Sequence, residues 1–159
     1  MSYRSALVNS LVSIVLTELD GTRDTLYYTN IYKNVKTKTL DFSEITDYPT
    51  ITITPGSESI RAAAGMVKEH DLTIYIRIYD ESQDDIEALI EKRIIDIETI
   101  LDKYKTISYT VTKPNGQIDT DYTKMIDISQ ISTDEGLLKP RGIGEIILSV
   151  KYDTLRRLI

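Results

Sequence analysis

The sequence predicts an α+β fold: one domain built on a mostly antiparallel or mixed β-sheet, with two main helices packed on one face. Two observations carry this expectation. Apolar residues recur at helical spacing in two long segments, and they alternate with polar residues in the segments between and after them. The resulting order, helix, strands, helix, strands, suits a sheet with its helices gathered on one side. The 159 residues carry no internal repeat or low-complexity tract, so residues 1–159 are expected to form one domain, with a flexible C-terminal tail at 153–159. A domain of that size buries roughly 70% of the surface its unfolded chain exposes, enough for a core without staples.

Met1 to Leu19 reads as the first helix. Leu7, Leu11 and Ile14 lie on one side, with Val8, Val12, Val15 and Leu19 beside them. Asp20-Gly21 stops it, Gly being able to take the left-handed cap conformation. Leu26 to Tyr48, rich in Thr, Tyr, Asn and Lys, predicts an irregular excursion with one short strand around Val35 to Leu40. Thr50 to Thr54 alternates Thr and Ile and reads as a strand that Pro55-Gly56 breaks. Leu72, Ile74, Ile76 and Ile78 alternate with Thr73, Tyr75, Arg77 and Tyr79 as a half-buried strand. The stretch between these two strands, GSESIRAAAGMVKEH, is long for a hairpin loop and predicts a contact arm.

The second helix is the clearest element. Ile86, Leu89, Ile90, Ile94, Ile97, Ile100, Leu101 and Tyr104 form its apolar stripe. Ser82 is the expected N-cap with Asp85 at N3. Acids at the start and Lys103 and Lys105 at the end suit the helix dipole. Three strands are expected to follow: one through Ile107, Tyr109 and Val111, one through Ile126 and Ile128, and one through Ile146, Leu148, Val150 and Tyr152. Pro114-Asn115-Gly116 marks the turn after the first.

Composition narrows the chemistry. With no Cys and one His, neither a disulfide nor a zinc site of the usual kind can be built. No run of about 18 apolar residues exists to cross a bilayer, and the first helix is followed by no signal-peptide cleavage site; a soluble, non-membrane product assembled in the cytoplasm is the expectation. The net charge of -6 argues against phosphate-driven nucleic-acid binding, and it suits a channel past which DNA slides without sticking. The two basic spots, Lys33, Lys36 and Lys38, then Arg156 and Arg157, are short. His70 has no nucleophile-elbow GxSxG to serve and reads as a solvated or interface residue. Asp80 to Asp85, with Glu91 at the twelfth place, departs from a calcium loop because Asp85 stands where Gly is required. RGIG, Arg141 to Gly144, is too short for a phosphate loop. No catalytic, cofactor or metal residue is therefore assigned, and a structural protein rather than an enzyme is expected. The 11 Tyr suit a covered sheet face or a subunit interface.

Ser132 to Ile146 remains. Asp134-Glu135-Gly136 makes a polar turn, Leu137 and Leu138 supply two apolar anchors, Pro140 fixes the chain, and Gly142 and Gly144 permit close approach. Two adjacent Leu in a turn either fold back on their own core or dock on a neighbouring subunit. STDEGLLKPRGIGEIILSVKY resembles the end of tail terminator, or tail-completion, proteins of phages with long non-contractile tails. YPTITITPGSES, NIYKNV, LTIYIRIYDESQDDIEALIEKRIIDIETIL and YTVTKPNG resemble further blocks of that family in the expected order.

The resemblance implies a structural virion protein that caps the tail tube as a hexameric ring and ends polymerisation of the tail tube protein at the length set by the tape measure protein, a further candidate partner. It implies a surface for the head-completion or connector protein, so that head and tail join, and a channel that DNA passes through without sequence-specific reading. It implies a place at the head-proximal end of the virion tail. The candidate contact residues are Gly56, Ser57, Glu58, Ile60 and Arg61 in the arm; Asp134, Glu135, Leu137, Leu138 and Arg141 in the late loop; and Arg156 and Arg157 at the end. A connector or tube protein, or a small adaptor domain of a cellular complex, is the competing reading.

Overall fold

The computed structural model describes residues 2–23, 25–29, 31 and 34–155. Its helices are α1, Tyr3–Glu18, and α2, Ile86–Lys103. Its strands are β1, Val35–Lys36; β2, Thr50–Ala62; β3, Val67–Glu81; β4, Ser108–Thr112; β5, Ile118–Tyr122; β6, Met125–Thr133; and β7, Arg141–Leu155. Five strands form one sheet in the order β1-β2-β3-β7-β6, and β4 and β5 form a separate hairpin. β1 runs parallel to β2 and the other pairings are antiparallel, so the main sheet is mixed.

The alternation in β3 and β7 sorts their residues between two faces. Leu72, Ile74, Ile76 and Ile78 point to the helical side with Ile51, Ile53, Ile146, Leu148, Val150 and Tyr152, and all are buried in one continuous core. Each such Ile or Leu contributes about 1.5–3 kcal/mol by leaving water. α2 packs on β3 and β7, and α1 packs on β2 and β4. Both helices thus cover the same face, as the sequence predicts. Gly142 and Gly144 let α2 approach closely: a Cβ on Gly142 would lie 2.7 Å from Ile86 Cγ1, and one on Gly144 would lie 3.1 Å from Ile90 Cγ2.

Four expectations are corrected. Pro55-Gly56 does not break the strand. The ladder shifts register between Pro55 and Glu58, and this bulge accommodates a residue without an N–H. The long connection is therefore a continuous hairpin whose arm pairs Glu58 to Ala62 with Leu72 to Lys68 and turns at residues 63–66. The α2 N-cap is Asp85, whose carboxylate accepts from Ala88 N at 3.1 Å. Ser82 sits earlier because its N–H donates to Pro140 O at 2.9 Å, holding it beside the start of β7. Four strands, not three, follow α2, because Ile118–Tyr122 pairs with β4. The early strand is only Val35–Lys36, and a short 3-10 turn, Phe42–Glu44, follows it.

Side-chain bonds tie the irregular stretch to the helices. Glu18, 1% exposed, accepts from Tyr27 OH and Tyr104 OH at 2.7 Å each and from Lys103 Nζ at 2.9 Å. Burial opposes its ionisation, but these hydrogen bonds outweigh that cost and hold its carboxyl at about 2. Arg93 bridges Asp80, at 2.9 Å, and Thr29, at 2.8 Å. Asp80, the first acid of the loop that resembles a calcium site, is thereby paired.

Candidate assembly interface

The arm and the late loop are the two protruding features, and each is built by local rules. In the arm, a Cβ on Gly56 would lie 2.5 Å from the Tyr75 ring. The Gly56 carbonyl accepts from the Arg4 guanidinium of α1. Ser57 is exposed, Ile60 is 56% exposed, and Arg61 pairs with Glu69 across the hairpin, Nε to Oε2 at 2.9 Å.

Glu58 turns inward instead. It accepts from Tyr152 OH at 2.6 Å and lies 3.1 Å from His70 Nδ1. The His70 ring stacks on Tyr152 at 4.5 Å, and its Nε2 lies 2.7 Å from Thr154 Oγ1. Of the two readings of His70, solvated or interface, the structure removes the first: its side chain is 9% exposed. It fastens the base of the arm, as does Glu58, and neither is a free contact group.

The late loop is organised by Asp134. One carboxylate oxygen accepts from Ile143 N at 3.0 Å and the other from Leu138 N at 3.1 Å. Glu135 and Gly136 both take left-handed angles, φ 55° and 77°, and the turn presents Leu137 and Leu138 outward. Lys139 Nζ lies 3.0 Å from Glu87 Oε1 on α2, and the Arg141 guanidinium lies 5.5 Å over the Phe42 ring. Leu137 is 86% exposed and Leu138 44%. Within the single chain the leucines do not fold back on their own core. Arg156 and Arg157, like Lys33, lie outside the described residues.

The two features are not brought together. Arg141 pairs with Glu81 and Leu155 with Val67 at opposite ends of the β3–β7 ladder. Fifteen-residue strands at about 3.3 Å per residue separate these ends by roughly 45 Å. The late loop is at one end, and the arm and the last described residue are at the other.

A third exposed feature has no signal in the sequence pattern. β6 is an edge strand, and its sequence, MIDISQIST, has no Lys or Pro to guard the open edge. Met125 is 46% exposed and Ile131 39%. The sheet face opposite the helices is largely occupied within the chain. Tyr79 is 3% exposed, edge-on to Phe42 at 5.5 Å, and Arg77 Nε donates to Glu145 at 2.7 Å and covers the Tyr75 ring. Among the described residues no group of three His, Asp or Glu is placed to hold a metal ion, and no helix is long and apolar enough to cross a membrane.

Comparison with known proteins adds a family. The family model described as bacteriophage tail tube terminator protein matches residues 1–159. The chain is 35% identical over 158 residues to tail tube terminator protein p142 of Escherichia phage T5, covering 99% of this chain and 98% of that protein. Among solved structures, a chain of the virion of a native gene transfer agent particle matches with a TM-score of 0.51 and 10% identity, covering 96% of this chain and 100% of the other. That likeness is one of fold alone.

Proposed function

Because the chain belongs to the bacteriophage tail tube terminator family and is a structural component of the virion tail, we propose that it closes into a hexameric ring on the head-proximal end of the tail tube. The ring ends polymerisation of the tail tube protein at the length the tape measure protein sets. Its other side receives the head-completion or connector protein, and DNA passes through its channel without sequence-specific contacts. The work is done by surface complementarity and needs no covalent step.

The observation that carries this reading is the two-ended shape of the subunit. Contact features stand at both ends of one rigid strand pair, roughly 45 Å apart, as a protein that joins two different partners requires. The open β6 edge, bulged only between Ile128 and Gln130, supports lateral association between subunits, and a heterologous contact repeated around an axis closes into a ring when its rotation closes. Ile60 and Arg61 lie toward one end, and Asp134, Glu135, Leu137, Leu138 and Arg141 at the other, while Gly56 and Ser57 sit at the bulge opposite the middle of β3. Glu58 acts by holding the arm.

Negative-stain microscopy of the protein mixed with tail tubes tests the proposal. Rings at one tube end, with six-fold averages, are expected. Decoration along the tube shaft, or tubes that keep growing in its presence, would exclude capping.

A further inference from the structure

Among the described residues the main sheet has two open edges, and an open edge is a template for another strand. One is β6. The other is the outer part of β2: β1 covers only Ile51 and Thr52, and the Arg4 guanidinium holds the Gly56 carbonyl, which leaves the edge from Ser57 to Ala62. Two properties of these edges match. The first is direction. β2, β3, β7 and β6 are antiparallel in succession, so β2 and β6 point in opposite senses. Copies related by rotation about an axis near the strand direction therefore bring β6 of one beside β2 of the next as an antiparallel pair, the more stable kind of ladder. The second is the sorting of side chains. In β6, ahead of its bulge, Ile126 and Ile128 take the helical side with Val150 and Leu148, and Asp127 is exposed on the other. In the arm, Ile60 and Ala62 take the helical side, opposite His70 and Lys68, and Arg61 the other, opposite Glu69. Ile60 is 56% exposed in the single chain.

We propose that β6 of one copy adds to the arm edge of the next copy around the ring, with Asp127 opposite Arg61. That register also sets Ile128 opposite Ile60 and Ile126 opposite Ala62. Apolar side chains then meet on one face and opposite charges on the other, and a slip of one residue would put each set on the wrong face. The inference rests on the ring reading above and names the contact that closes it. The same register supplies a stagger. Ile128 is level with Ile74, and Ile60 pairs with His70, so each join steps four residues along the sheet. Four residues at about 3.3 Å against four strands at about 4.8 Å tilt the strands by about 35°, at the lower end of the roughly 35–45° of closed barrels. A register chosen on side chains alone thus meets the geometry that closure requires. The join takes the edge of the arm and leaves its turn, residues 63–66, beyond it.

The chain has no Cys, so introduced thiols report without background. Residues 61 and 127 lie on strands separated by β3 and β7, so in the folded protein a disulfide between them forms only across two copies. A chain carrying both Arg61→Cys and Asp127→Cys is added to tail tubes, oxidised, run on a denaturing gel and digested for mass spectrometry of linked peptides. It is imaged beside the unsubstituted protein. The expected result is a ladder of cross-linked copies ending at six, carrying the 61–127 link and appearing only in assembled samples. Rings of this variant without the link overturn the strand join and leave the ring reading standing. Absence of rings from the unsubstituted protein overturns both. Where only the cysteine variant fails to assemble, charge exchange decides. Arg61→Glu and Asp127→Arg, with folding checked by circular dichroism, are expected to lose capping singly and regain it together. Capping by either single variant, or its loss in the combined one, overturns the join.

Discussion

At the residue scale, Glu18 is the group on which pH should act. Its folded value is about 2 against an ordinary 4.5. The charged form is favoured by folding, so its contribution is complete above pH 4.5 and is lost as pH falls from there toward 2. The full shift corresponds to about 3 kcal/mol. Urea unfolding at stepped pH should show the wild type losing stability steeply below pH 4.5. Glu18→Gln should be weaker at neutral pH, because Lys103, Tyr27 and Tyr104 lose a charged acceptor, and should have a flatter profile below 4.5. Equal slopes for the two proteins would show that Glu18 does not carry the effect. Gly144 makes a steric prediction at the same scale. A larger side chain there meets Ile90 and Ile94 within about 3.2 Å, between a strand and a helix that cannot both yield. Gly144→Val should therefore lower stability by about 1–3 kcal/mol, read as a reduced midpoint with unchanged slope in the same titration.

At the scale of elements, the late loop gives a prediction that separates folding from assembly. Leu137 and Leu138 lie outside the core, so Leu137→Asp with Leu138→Asp should change stability by no more than about 0.5 kcal/mol per substitution while abolishing capping of tail tubes. Circular dichroism melts and microscopy check the two halves; an unfolded variant would mean that the loop serves its own chain. The elements also show what the sequence could convey. α2, the inner half of β3 and the end of β7 are legible because one face of each is buried and the other is not, which writes a period into the residues. The outer halves of β2 and β3 read as a loop, and β5 gives no strand signal, for a common reason. Glu58 to Ala62 and Ile118 to Tyr122 are wet or half-wet on both faces, so no alternation marks them. The bulge hides behind Pro55-Gly56, whose residues are the same ones that end strands elsewhere. The late loop can be picked out as two Leu without a home, but where they go depends on Asp134, whose hydrogen bonds to Leu138 and Ile143 only the fold reveals. The cluster of Glu58, His70, Tyr152 and Thr154 draws on strands far apart in the chain, which no local pattern announces.

At the scale of the whole molecule, the separation of contact features matters more than any one of them. The β3–β7 ladder runs unbroken from Val67 paired with Leu155 to Glu81 paired with Arg141, with the tip of the arm at one limit and the late loop at the other. A load applied between those limits runs along the strands. It strains the backbone hydrogen bonds of the ladder together, whereas a load across the strands would open them one by one. The subunit is therefore stiffest along the line that connects its two ends. This chain has laid its longest hydrogen-bonded seam in a single direction.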